Sequence, residues 1–148
     1  MSYTDDRCFV DTNILVYAHD RSSPARRAVA RQILQELWEK QTGALSTQVL
    51  QELYVTLTGR IKPPVTAETA IRIVRALGEW RLVATDVELI VHAADLSRTH
   101  RWSHWDALVL AAALRVEART LLSEDFQDGF RLGALTVRNP FASGRRRR

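Results

Sequence analysis

Residues 8–13 read Cys-Phe-Val-Asp-Thr-Asn, and the fold is decided by how this run is read. Three apolar residues, two of them strand formers, stop abruptly at an acid followed by turn- and cap-forming side chains. So short and unbroken an apolar run predicts a strand buried on both faces. Four further runs of this kind occur, at 44–45, 82–84, 120–122 and 135–137, giving five predicted strands.

Between them the apolar period is helical. Val29, Ile33, Leu34, Leu37 and Trp38 follow Ser23 and Pro24, a cap and a first-turn proline. A second helix starts near Ser46 or Thr47, carries Val49, Leu50, Leu53, Tyr54 and Leu57 on one face and stops near Gly59, after which Pro63 and Pro64 enforce a loop. Others are predicted over about 66–77, 86–99 and, behind a Ser103 cap, 104–116. Residues 126–133 read as a loop or a single helical turn, because Asp128 and Gly129 interrupt any apolar period. Strands alternating with helices predict an α/β fold whose mostly parallel sheet is covered on both faces.

A chain of 148 residues suits one domain, expected over 1–142, and is too short for two full cores. The net charge of +4 is fully accounted for by the four arginines at 145–148, in a tail (143–148) expected to be disordered. The basic balance therefore belongs to the tail, whose ordinary reading is a solvated end. Only Lys40 and Lys62 among the 21 basic residues are lysine, which codon bias explains more readily than a use for phosphate-gripping forks. The single cysteine, Cys8, sits in an apolar run and has no internal partner, as expected of a buried reduced thiol in the cytosol. The polar, acidic start and the lack of any long apolar run exclude a signal region and a membrane-spanning helix from the reading.

In an open parallel sheet, ligands bind beyond the carboxyl ends of the strands. Asp11 directly follows the first strand, Glu52 lies about two turns into the helix after the second, and Asp125 comes just after the fourth. Carboxylates gathered without a basic partner repel one another, and a divalent cation is what makes that tolerable. All-oxygen ligation points to Mg²⁺ or Mn²⁺. Each acid also has an ordinary role open to it. Asp11 and Asn13 could form a turn or cap, Glu52 could be a surface charge, Asp106 could complete a capping box with Ser103, and Asp125 could cap a short helix. Asp86 follows the third strand but reads as the cap of the next helix, and Asp128 could add a ligand or shape its loop. Trp102 and Trp105 flank the helix carrying Asp106; a ring there could stack on a base, although core packing is the ordinary role of tryptophan. Arg21, Arg26, Arg27 and Arg31 read first as a solvated surface and second as phosphate contacts, and the four histidines lack metal-ligand spacing.

The strings Phe9-Val10-Asp11-Thr12-Asn13, Gln51-Glu52-Leu53, Trp105-Asp106-Ala107-Leu108 with Ala111 and Ala112, and Leu121-Leu122-Ser123-Glu124-Asp125-Phe126 resemble PIN-domain ribonucleases, in particular the VapC-type toxins of bacterial toxin–antitoxin pairs. The resemblance runs in order from about Phe9 to Pro140. It implies a five-stranded parallel sheet in the order 3-2-1-4-5, with Asp106 brought beside Asp11, Glu52 and Asp125, a placement that periodicity alone does not give. It implies hydrolysis of RNA phosphodiesters with Mg²⁺ or Mn²⁺ held by these four acids, Asn13 and Ser123 supporting them, an antitoxin that blocks the acidic groove, and a homodimer. Two alternatives keep the fold: an RNA-processing nuclease without an antitoxin, and a binding module in which the acids only shape a surface. A receiver-type signalling domain also gathers acids at strand ends but needs a lysine after its last strand, and Lys40 and Lys62 lie far upstream.

Overall fold

The computed structural model describes residues 2–142, so the basic tail expected at 143–148 lies outside the described residues. A 3-10 turn (Tyr3–Asp5) leads into β1 (Cys8–Val10), α1 (Thr12–Tyr17), α2 (Pro24–Lys40), β2 (Gly43–Ser46), α3 (Thr47–Gly59), α4 (Ala67–Leu77) and β3 (Arg81–Val83). Next come α5 (Val87–His100), α6 (His104–Arg115), β4 (Thr120–Leu122), β5 (Arg131–Leu132) and β6 (Leu135–Arg138). The sheet order is β3-β2-β1-β4-β6-β5. Every pairing is parallel except β5 with β6.

The five strands expected from the apolar runs are all present, in the expected order. The sheet nevertheless has six strands, because residues expected to form a loop or helical turn contain β5. Gly133, at φ +60°, leads a two-residue turn between the paired Leu132 and Leu135, and such turns need a residue that accepts positive φ. β5 escapes a pattern search because it is two residues long, with an exposed arginine and a half-buried leucine.

The first strand is central. Cys8, Phe9 and Val10 are fully buried, as are Ala44, Leu45, Leu121 and Leu122 on its two neighbours. Uniform burial is what helices on both faces of a parallel sheet produce. α6 supplies much of the cover, since every residue from Ala107 to Ala113 is buried, four of them alanines that let α5 and the sheet approach closely. Close approach also sets Gly43, where a Cβ would collide with the Trp80 ring. Cys8 is buried, and burial pushes its thiol well above the ordinary range. No helix among the described residues is long and apolar enough to cross a membrane.

Candidate active site

Parallel strands end together, and here the ends of β1 and β4 fix the site. Val10 pairs with Leu122, and the next backbone N–H, that of Asp11, donates to the Leu122 carbonyl at 2.9 Å. Asp11 therefore stands beside Ser123. The Ser123 hydroxyl, fully buried, donates to Asp11 Oδ2 at 2.7 Å and accepts from the Asp125 backbone N–H at 3.0 Å, so one side chain ties two acidic segments together. Asp11 Oδ1 accepts from the Thr12 N–H at 2.7 Å, which makes Asp11 the cap of α1. The cap reading and the site reading of Asp11 are thus the same geometry.

Glu52 reaches this point from α3. Its two carboxylate oxygens accept from Thr12 Oγ1 at 2.9 Å and from Gln48 Nε2 at 3.2 Å. The short loop between α5 and α6 brings Asp106 in at the start of α6, where its backbone N–H donates to Ser103 Oγ at 3.1 Å. Asp11, Glu52, Asp106 and Asp125 all line one cleft of about 720 Å³, with Asn13, Tyr17, Gln48, Thr56, Arg60 and Trp105 among its other walls. No helix follows Asp125, so the capping role open to it from sequence is not realised.

Electrostatics follow from the crowding. Burial, followed by the charges of Asp125 and Glu52, pushes the Asp11 carboxyl up to about 7 against the pull of the Ser123 and Thr12 hydrogen bonds. Asp106 is also raised, by burial first and then by Asp125, while Ser103 holds it down. Arg60 is the only basic residue among the described lining of the cleft. Hard oxygen donors, two of which, Asp11 and Asp106, are raised by burial and by their acidic neighbours, fit a divalent metal such as Mg²⁺ or Mn²⁺. Among the described residues no three acids, histidines or cysteines form a ready-made ligand cluster.

Of the other sequence candidates, Asn13 and Trp105 line the cleft and Asp86, Asp128, Arg26, Arg31 and Trp102 do not. Asp86 caps α5 through the Leu89 N–H at 2.9 Å and pairs with Arg115 at 2.8 Å. Asp128 accepts from the Asn139 N–H at 2.9 Å and shapes the loop before β5. Asn13 Oδ1 accepts from the Glu124 N–H at 3.4 Å, holding the loop that carries Asp125 rather than an acid directly. Arg26 lies over the rings of Tyr17 and Phe141 and pairs with Glu124 at 3.8 Å, while Arg31 donates to the Ala18 carbonyl. Trp102 packs against His100, Phe126 and Phe130. Gln48, Thr56 and Arg60 were not singled out from sequence, although their signal was present: with Glu52 they recur every four residues and so share one helical face.

Fold and cleft together define an α/β domain with a carboxylate-lined groove at the strand ends. The family model of the PIN domain matches residues 8–131, and the chain belongs to the PIN-domain family. Among solved structures, a sarcin–ricin-loop-cleaving toxin, VapC20 of Mycobacterium tuberculosis, aligns at 22% identity over 80% of this chain and 91% of its own, with a TM-score of 0.63. A toxin–antitoxin complex from Klebsiella pneumoniae aligns at 21% identity over 90% and 97%, with a TM-score of 0.66. VapBC2 of Rickettsia felis, bound to a promoter DNA fragment, aligns at 21% identity over 89% and 97%, with a TM-score of 0.62. These likenesses are of fold. A search of the curated proteins finds no match of significance.

Proposed function

We propose that this chain is a metal-dependent endoribonuclease acting as the toxin of a type II toxin–antitoxin pair, with Asp11, Glu52, Asp106 and Asp125 as its metal-holding acids. The observation that carries the reading is the convergence of these four carboxylates, from four separated stretches of a PIN-domain chain, on one cleft that Asp20 also lines and whose described lining has Arg60 as its single basic residue. When bound there, Mg²⁺ or Mn²⁺ would make a water nucleophilic near neutral pH and offset charge on the phosphate. The chain's own groups prepare the place. Ser123 and the Thr12 N–H fix Asp11 with both oxygens engaged, Ser123 anchors the backbone of Asp125, and Thr12 and Gln48 hold Glu52. Asp11, pushed up to about 7, must give up its proton for an ion to bind, so metal affinity and activity rise as pH passes through neutrality.

The toxin assignment draws on the sequence strings and on the company the fold keeps. One structural neighbour is a toxin that cleaves the sarcin–ricin loop, and two are toxin–antitoxin assemblies. RNA is the substrate, and the partners are a small antitoxin covering the acidic cleft and a second copy of this chain. The test is incubation of purified protein with total cellular RNA in Mg²⁺, Mn²⁺ or EDTA, beside Asp11→Asn and Asp106→Asn, with new RNA ends mapped by sequencing. Discrete ends that need metal and both aspartates are expected. Cuts that persist in EDTA or in Asp106→Asn would remove the assignment.

A further inference from the structure

Trp105 is out of place by the ordinary rule for tryptophan. It is 63% exposed at the start of α6, next in the chain to Asp106, and it lines the cleft. Trp102, three residues earlier, is packed among three rings, whereas among the described residues Trp105 has only the His104 ring edge-on against it at 5.5 Å. Its backbone is nonetheless held. Gln48 Nε2 donates both to the Trp105 carbonyl and to Glu52 Oε2, each at 3.2 Å, so the segment bearing the indole is tied to the acids. Gln48, Glu52 and Asp106 set polar groups beside the ring in the cleft, with Val109 among the apolar part of the same lining. An accessible ring among polar side chains offers a flat surface to a planar base.

A second observation gives the cleft a direction. Gln48, Glu52, Thr56 and Arg60 form a stripe along α3 and its C-cap, all lining the cleft. At 1.5 Å per residue, Arg60 lies roughly 12 Å beyond Glu52, and Gln48, which carries the tie to Trp105, lies roughly 6 Å to the other side. The cleft therefore runs from an aromatic surface, past the acids, to a cation. Arg60 is exposed and has no ion pair among the described residues.

Resting on the nuclease reading, we propose that the cleft takes a single-stranded stretch of RNA, with Trp105 stacking the base beside the cleaved bond and Arg60 holding a phosphate farther along the same strand. A paired base offers no free face to the indole, so the site selects loops and unpaired ends. Arg60 acts on binding alone, and Trp105 acts on binding and on the choice of cut.

The experiment measures cleavage kinetics in Mn²⁺ at a mapped cut site, on a short unpaired RNA and on the same sequence held in a duplex. Wild type is compared with Trp105→Ala, Trp105→Phe and Arg60→Gln. Trp105→Ala is expected to raise KM about tenfold or more with little change in kcat, and Trp105→Phe to recover most of that loss. Arg60→Gln is expected to weaken binding and to flatten the logarithmic salt dependence by about 0.7, the share of one single-strand phosphate contact. The duplex is expected to resist cleavage. An unchanged KM and cut pattern in Trp105→Ala would overturn the proposal, return Trp105 to a protein-contact surface and leave the nuclease standing. Absence of any metal-dependent cut by wild type would instead remove the nuclease reading, and this one with it.

Discussion

Asp11 is where the stability of the metal-free protein and its proposed chemistry oppose each other. Its carboxyl rises from an ordinary 3.8 to about 7 in the folded chain, so the folded state binds the proton more tightly than the unfolded state. Its contribution to stability is therefore full below about pH 4 and is lost as pH rises to about 7. Asp5 and Asp86, held down by Lys40 and Arg115, act in the opposite sense but only below their ordinary range near 3.8. Between pH 5 and 7 the Asp11 trend stands alone among these three. Thermal melts in EDTA are expected to fall across that window for wild type and to fall less for Asp11→Asn, in which the raised Asp106 carries on the trend and the lowered His19 opposes it, and Asp11→Asn should also melt higher than wild type at pH 8. A flat wild-type profile would show that the carboxyl is not crowded. Asp11, Glu52 and Asp125 could be placed from sequence because each is counted from a strand end. Asp106 could not, because its position depends on the loop between α5 and α6, and here the resemblance supplied what periodicity lacks. The indole of Trp105 ran against the usual reading because residue type says how a tryptophan usually packs, not whether its neighbours leave room.

At the level of elements, five apolar runs were enough to place β1, β2, β3, β4 and β6; β1, β2 and β4 are buried on both faces, whereas β3 and β6, nearer the edges, are partly exposed. α1 and β5 were harder, being six and two residues long with mixed exposure, and their existence depends on a cap at Asp11 and a turn at Gly133. α6 shows how one element serves two ends. Its body is buried on every side, while its first turn presents Asp106 to the cleft, and the Ser103 hydroxyl joins the two by accepting the Asp106 N–H. Ser103 thus caps the helix through the Asp106 backbone N–H and also holds the Asp106 carboxyl down, while that carboxylate lines the cleft. Ser103→Ala is expected to cost about 1 kcal/mol, read from urea denaturation, while leaving metal-dependent cleavage in place. Asp106→Asn should do the reverse, losing cleavage with little change in the urea midpoint. If Ser103→Ala abolished cleavage at unchanged stability, the hydroxyl would belong to the chemistry and not to the helix.

Across the whole molecule, the repulsive charge gathers at one end of the sheet while the packed helices and the sheet interior hold the rest. The core around β1 is fully buried, while the crowded carboxylates stand at the rim where the strands end. A cation entering the cleft should then raise the melting temperature of the entire domain, since it binds only where the folded chain assembles the acids. Mass action sets the size, about 2.7 kcal/mol when free metal exceeds its dissociation constant a hundredfold. Melts of EDTA-stripped protein titrated with Mn²⁺ at pH 8 are expected to rise with the logarithm of metal concentration. The rise should shrink at pH 6, where the Asp11 proton competes with the ion. Asp11→Asn and Asp106→Asn should start from equal or higher melts in EDTA and gain little from Mn²⁺. Equal gains in wild type and both variants would place the metal away from the cleft. Gains confined to wild type would instead tie the crowding of the four acids to the ion they are proposed to hold.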